Sequence, residues 1–176
     1  MKLFGKWRKD ETPVNEEPAF VGEAAPLEKP GSDAIGTNRK ILIVDDNSVV
    51  LKAFDLKLKA SGFEVLTAVD GAAGVSLARQ AKPDIIVLDI NFPPDVGTSG
   101  LQWDGFNIMT WLRRFEEVAS IPVIIISSGD PAKYKPKSIS SGAVAFFQKP
   151  INYEEFMVEV RRAIGQAGAK PPGTAV

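Results

Sequence analysis

Asp45, Asp46, Asp89, Ser127, Ser128 and Lys149 are the residues whose types and positions fit chemistry. Each group ends a short strand-like stretch: 41–44 runs into Asp45-Asp46, 85–88 into Asp89, 123–126 into Ser127-Ser128, and 143–148 into Lys149. A hydrophobic strand has no structural need to stop at a carboxylate. Three carboxylates gathered at one place repel one another and stay ionised together only beside a cation. Oxygen donors alone select a hard ion, and Mg²⁺ takes few carboxylates plus waters and phosphate oxygens. A carboxylate can also attack phosphorus to give an acyl phosphate. The transferred oxygens then need positive charge or hydrogen-bond donors, which Mg²⁺, the Lys149 ammonium and the Ser127 hydroxyl would supply.

Composition narrows the alternatives. There is no Cys, which excludes disulfides, thiolate catalysis and Cys-ligated metals. There is no His, which excludes Ser-His-Asp chemistry, His-ligated zinc and a phosphohistidine on this chain. A net charge of −1 gives no reason to expect direct nucleic-acid binding. No apolar run approaches the roughly 20 residues of a membrane span, and no secretory signal is visible, so a cytoplasmic protein is expected. A length of 176 residues accommodates one domain with tails.

The elements that position these groups follow from the pattern. Residues 1–9 place Leu3, Phe4 and Trp7 on one helical face among Lys2, Lys6, Arg8 and Lys9. That face fits a small amphipathic membrane or partner contact, although so short a helix is marginal alone and a frayed terminus is the plainer reading. Residues 10–37 carry Pro13, Pro18, Pro26 and Pro30 among Glu and Gly, the composition of an extended or disordered linker. Runs 41–44 and 85–88 are unbroken and apolar, as in strands buried on both faces. After the first, Asn47 or Ser48 caps a helix with Leu51, Phe54 and Leu58 inward, closed by Gly62. Residues 63–67 form the next strand, and Gly71–Ala81 the next helix, with Val75 and Ala78 inward and Pro83 ending it.

Residues 92–103 contain Pro93, Pro94, Gly97 and Gly100 and read as a long loop, a class that is often functional. Asp104 is a candidate N-cap for a helix reaching about Val118, with Ile108, Met109, Leu112 and Phe115 as its core side. Val123–Ser127 is the fourth strand. A helix over 131–141 is weakened by Pro131 and Pro136. Residues 143–148 are the fifth strand, and Asn152 with Glu155 starts the last helix in capping-box fashion, with Phe156, Val160 and Ile164 inward. The domain spans 38–165, between a 1–37 tail and a flexible 166–176 tail.

Five alternations of strand and helix imply an α/β fold with a parallel sheet covered on both faces. Its strand ends share one edge, and the order 2-1-3-4-5 would make the strands of Asp45/Asp46, Asp89 and Ser127 neighbours, with Lys149 one strand further.

Four stretches, Ile-Leu-Ile-Val-Asp-Asp-Asn (41–47), Pro-Asp-Ile-Ile-Val-Leu-Asp (83–89), Pro-Val-Ile-Ile-Ile-Ser-Ser (122–128) and Phe-Phe-Gln-Lys-Pro (146–150), together resemble the signatures of the response-regulator receiver domain. The resemblance covers roughly 39–165. It implies a flavodoxin-like (βα)5 doubly wound sheet. Asp89 is then the phosphoacceptor and Asp46 a direct Mg²⁺ ligand. Asp45 helps to hold the metal, and the Asn91 backbone carbonyl completes the site. Ser127 becomes the switch hydroxyl, Lys149 the phosphate-pairing lysine and Phe146 the aromatic rotamer switch. Pro150 follows a peptide bond that is usually cis in the family.

The expected partners are a sensor histidine kinase or phosphotransfer protein and a downstream protein target. The output face is the fourth helix, fifth strand and fifth helix, and dimerisation stays open. The chain resembles a single-domain regulator, a switch rather than an enzyme with an external substrate. Three departures from the pattern stand out. The loop after Asp89 is long, Pro136 lies on the signalling face, and Gly129, lacking a side chain, should leave the approach beside Ser127 open. Two other readings are a degenerate receiver acting as a constitutive binding module and an Asp-nucleophile phosphohydrolase. The second is disfavoured because Asn91, not Asp, stands two residues after Asp89.

Overall fold

The computed structural model describes residues 38–91 and 105–167. Five strands, β1 Lys40–Val44, β2 Glu64–Ala68, β3 Ile85–Asp89, β4 Val123–Ser127 and β5 Ala145–Gln148, form one parallel sheet in the order β2-β1-β3-β4-β5. The helices are α1 Ser48–Ala60, α2 Gly71–Ala81, α3 Gly105–Arg114, α4 Glu116–Ala119, α5 Pro131–Ser140 and α6 Tyr153–Ala167.

The unbroken apolar runs are explained by burial on both faces. Leu42, Val44, Ile86, Leu88, Val123 and Ile125 point to one face of the sheet, where α2, α3 and α4 supply Ala78, Ile108, Met109, Leu112 and Val118. Ile41, Ile43, Ile85, Val87, Ile124 and Ile126 point to the other, against Leu51, Phe54 and Leu58 of α1 and Phe156, Val160 and Ile164 of α6. Each such side chain removed from water contributes about 1.5–3 kcal/mol. Two packed faces on three central strands fix the register strongly, because a slip of one residue would exchange the faces.

Local chemistry sets the ends. The Asn47 side chain caps α1 by accepting from the Val49 and Val50 amides, and Asp70 caps α2 through Ala73. The C-cap of α1 is Ser61, and Gly62 follows in the left-handed region at φ +88°, where only glycine sits without strain. Asn152 accepts from the Glu154 and Glu155 amides to start α6, but the Glu155 carboxylate accepts from the Asn152 side-chain amide rather than from its backbone. Pro131 occupies the first turn of α5, where its missing N–H costs nothing, and Asp130 caps it. The helix then runs on through Pro136.

Four expectations are corrected. The helix expected to reach Val118 stops at Arg114. Phe115 turns extended, at φ −101° and ψ 109°, and a separate short helix, α4, follows. Periodicity could not reveal this, since Phe115 and Val118 continue the three- and four-residue apolar spacing across the break. The break lets the chain fold back toward β4, and the Arg113 guanidinium ties down the turn by donating to the Ala119 and Ile121 carbonyls. Phe115 is therefore only partly buried, stacked on Trp111 and covered by the Arg79 guanidinium 4.1 Å from its centroid. Val75, expected inward, is also only partly buried. At the C-terminus α6 continues two residues past the expected boundary, to Ala167. The Asp104 cap, the 92–103 loop and the N-terminal amphipathic segment lie outside the described residues.

Candidate functional site

The parallel register brings the chosen residues to one sheet edge. Asp45 follows β1, Asp89 closes β3, Ser127 closes β4, and Lys149 follows β5. Asp89 pairs in register with Ile126, and Ser127 with Gln148. Asp45, Asp89 and Ser127 are buried, and Asp46 is exposed.

The two buried carboxylates are held in the same way. Oδ1 of Asp45 accepts from the Asn47 amide at 2.9 Å, and Oδ1 of Asp89 accepts from the Asn91 amide at 2.8 Å. The remaining oxygens converge on one cation: Lys149 Nζ lies 2.6 Å from Asp45 Oδ2 and 2.5 Å from Asp89 Oδ2. Lys149 is itself fixed by its backbone, whose amide donates to the Ser127 carbonyl at 2.8 Å, and the Lys149–Pro150 bond is cis. Burial pushes the Asp45 carboxyl above its ordinary value, against the opposing pull of Lys149 and the Asn47 amide. Burial alone would lower the Lys149 ammonium, but its hydrogen bonds to Asp45 and Asp89 outweigh this and raise it. It therefore stays charged between its two carboxylates.

Asp45, Asp46 and Asp89 each offer a carboxylate oxygen, and these oxygens lie within 4.8 Å of one another. An all-oxygen donor set with one solvent-facing member fits a hard, partly hydrated cation such as Mg²⁺. Ser127 and Ser128 are distinguished by burial: Ser127 is buried and Ser128 exposed. The Ser127 hydroxyl donates to Asn91 Oδ1 at 2.9 Å and accepts from the Gly129 amide at 3.0 Å. Asn91 Nδ2 donates to Ser128 Oγ at 3.1 Å. The family resemblance implies a role for Asn91 through its backbone carbonyl alone. Its side chain clamps both serines, and the nearness of a short amide to a polar strand end was the available signal.

Phe146 lies on the edge strand β5, partly buried against the α3-side core. The space beside Ser127 is not open as expected. A Cβ built on Gly129 would lie 2.5 Å from the Tyr134 ring, so Tyr134 fills the room that the glycine leaves.

Among the described residues, no helix is long and apolar enough to cross a membrane. The family model for the response regulator receiver domain matches residues 41–161. The DNA-binding dual master transcriptional regulator RpaA of Synechocystis is 33% identical over 132 residues, covering 75% of this chain and 52% of RpaA. The transcriptional regulatory protein PrrA of Mycobacterium tuberculosis is 34% identical over 133 residues, 76% of this chain and 53% of PrrA. The chain thus spans about half the length of these transcriptional regulators. The polar-differentiation response regulator DivK of Brucella anthropi is 28% identical over 73% of this chain and 98% of its own length. Among solved structures, the chemotaxis response regulator CheY4 of Vibrio cholerae superposes with a TM-score of 0.62 at 28% identity, over 72% of this chain and 99% of CheY4. A Francisella response regulator receiver domain gives 0.64 at 26% identity, over 73% of this chain and 98% of its own. Sheet order, acidic edge and these matches agree: the chain belongs to the response regulator receiver domain family, the phosphorylation-dependent switches of two-component signalling.

Proposed function

We propose that this chain accepts a phosphoryl group on Asp89 from a phosphohistidine of another protein and thereby changes its affinity for a downstream protein target. The observation that carries the reading is the single ammonium of Lys149 bridging Asp45 and Asp89 at 2.6 and 2.5 Å. A buried carboxylate paired with a lysine at a sheet edge is poised for a new anionic group. These 176 residues contain no His, so the phosphohistidine donor lies outside them.

Asp45, Asp46, Asp89 and the Asn91 carbonyl would hold Mg²⁺. Bound there, the ion would offset the charge of the carboxylates and of the incoming phosphoryl oxygens. An Asp89 carboxylate oxygen forms the new bond to phosphorus as the donor's P–N bond breaks, and the electron pair leaves with the imidazole. Lys149 exchanges part of its carboxylate contact for a phosphoryl oxygen, and Ser127 turns its single proton from Asn91 to another. The acyl phosphate carries about −1.5 to −2 where the carboxylate carried −1, so the site gains about −0.5 to −1 spread over new outer oxygens, and this is the driving term. Phe146 follows Ser127 inward, and the face of α5, β5 and α6 repacks toward its target. No external substrate is turned over, and the protein works in the cytoplasm. Phosphoryl uptake from acetyl phosphate with Mg²⁺, compared in wild type and Asp89→Asn, tests the reading. Equal uptake in the two proteins would sink it.

A further inference from the structure

Tyr134 connects the switch hydroxyl to the phosphoacceptor strand by a second route. The α5 start is tied to Asp130: the Ala132 amide donates to the Asp130 side chain at 2.9 Å, and the Tyr134 amide to its carbonyl at 3.0 Å. This fixes Tyr134 above the preceding turn. A Cβ at Gly129 would meet Tyr134 Cε2 at 2.5 Å and Cδ2 at 2.6 Å, and would stand 3.2 Å from Ser127 Oγ. The ring is keyed into a space that only glycine provides, directly beside the buried hydroxyl.

The same ring also stacks on Phe106, with centroids 6.5 Å apart and planes at 13°. Phe106 follows Gly105, where a Cβ would lie 2.6 Å from Ile90 Cα and 2.7 Å from the Asp89 carbonyl oxygen. Two glycines therefore let one aromatic pair bridge the end of β3 and the end of β4. The contacts continue to the surface, where Lys137 Nζ sits 3.9 Å from the Phe106 centroid and Lys133 Nζ 5.1 Å from that of Tyr134.

The Ser127 hydroxyl has one proton, which it gives to Asn91 here, and its oxygen accepts from the Gly129 amide. Donating to a phosphoryl group on Asp89 means leaving Asn91, and the hydrogen-bonded Gly129 moves with it. A ring packed on Gly129 opposes that movement, because close-packed contacts do not deform gradually. We propose that Tyr134 is a positioning residue for Ser127: its ring, keyed over Gly129, latches the unphosphorylated arrangement and withdraws with Phe106 when Ser127 turns to phosphorylated Asp89. This rests on the phosphoryl-switch reading above. It adds to Phe146 a second aromatic reporter on the α3–α5 side of the molecule.

The test uses the full chain as wild type, Tyr134→Ala, Tyr134→Phe, Gly129→Ala and the Gly129→Ala/Tyr134→Ala pair. Without phosphate, Gly129→Ala should shift the urea unfolding equilibrium about tenfold further when Tyr134 is present than when it is Ala. With acetyl phosphate and Mg²⁺, Tyr134→Ala should take up phosphoryl about three- to tenfold faster than wild type, the double variant at the same rate, and Tyr134→Phe within about twofold of wild type. A merely structural ring would move stability without this rate pattern. The latch is overturned if Gly129→Ala costs the same in both backgrounds, or if wild type takes up phosphoryl and Tyr134→Ala does so no faster. No uptake by wild type overturns the switch reading and the latch together.

Discussion

Lys149 holds Asp89 through an ammonium–carboxylate contact of 2.5 Å, across 60 residues of chain. The same ammonium holds Asp45, so one cation balances two buried anions. Removing it leaves the pair unpaired in a site that is largely closed to water. Lys149→Met should lower stability by about 2 kcal/mol in EDTA, a figure reduced from that of a fully buried pair because the lysine side chain is 20% exposed. Millimolar Mg²⁺ should restore much of the loss by binding only the folded chain. Urea unfolding with and without the ion measures both effects, and an unchanged midpoint in EDTA would contradict the pairing.

Asp45 carries the opposite balance. Its folded pKa is raised, chiefly by burial, so the folded chain holds this proton more tightly than the unfolded chain does. Stability from this group is complete below the unfolded value and declines as pH rises through the raised folded value. At neutral pH the Asp45 charge is thus a net cost in the absence of metal. Asp45→Asn should raise stability at pH 7 in EDTA, while abolishing most of the stabilisation by Mg²⁺. Denaturation at pH 4 and pH 7 separates the two terms: the variant's advantage should shrink at the lower pH.

Arg113 serves the scaffold instead of the edge. Its guanidinium donates to the carbonyls of Ala119, Ile121 and Gly142, joining the α3–β4 turn to the α5–β5 turn. Burial lowers its pKa, yet it stays far from neutral in solution. Arg113→Met should destabilise by about 1–3 kcal/mol through carbonyls left without donors. Phosphoryl uptake per folded molecule should be unchanged, and a loss of uptake beyond the unfolded fraction would show that Arg113 reaches the site.

The sheet was legible because its three central strands are buried on both faces, which forces unbroken apolar runs such as 41–44 and 123–126. Asp45, Asp89 and Ser127 were legible because each ends such a run at the same end of a parallel strand, and Lys149 by its place before Pro150 at the end of the partly buried strand β5. The break at Phe115 was hidden, since Ile108, Leu112, Phe115 and Val118 follow one another at steps of four, three and three residues across it. Tyr134 over Gly129 was hidden for another reason. Nothing in a five-residue spacing shows that a ring occupies a glycine's empty side until Asp130 has fixed the entry of α5. The clamp of Asn91 on Ser127 was only hinted at by a short amide near a polar strand end, because it forms where the residues after β3 meet the end of β4.

Asp89 as the phosphoacceptor is the central claim, and intact mass tests it most directly. The full chain is incubated with acetyl phosphate and Mg²⁺ beside Asp89→Asn, and any modified residue is located by peptide mapping after reductive trapping. The account predicts one phosphoryl group per chain, mapped to Asp89, absent without Mg²⁺ and absent in the variant. A phosphoryl group found on another residue, or a wild-type mass that does not change while Mg²⁺ is bound, would contradict it.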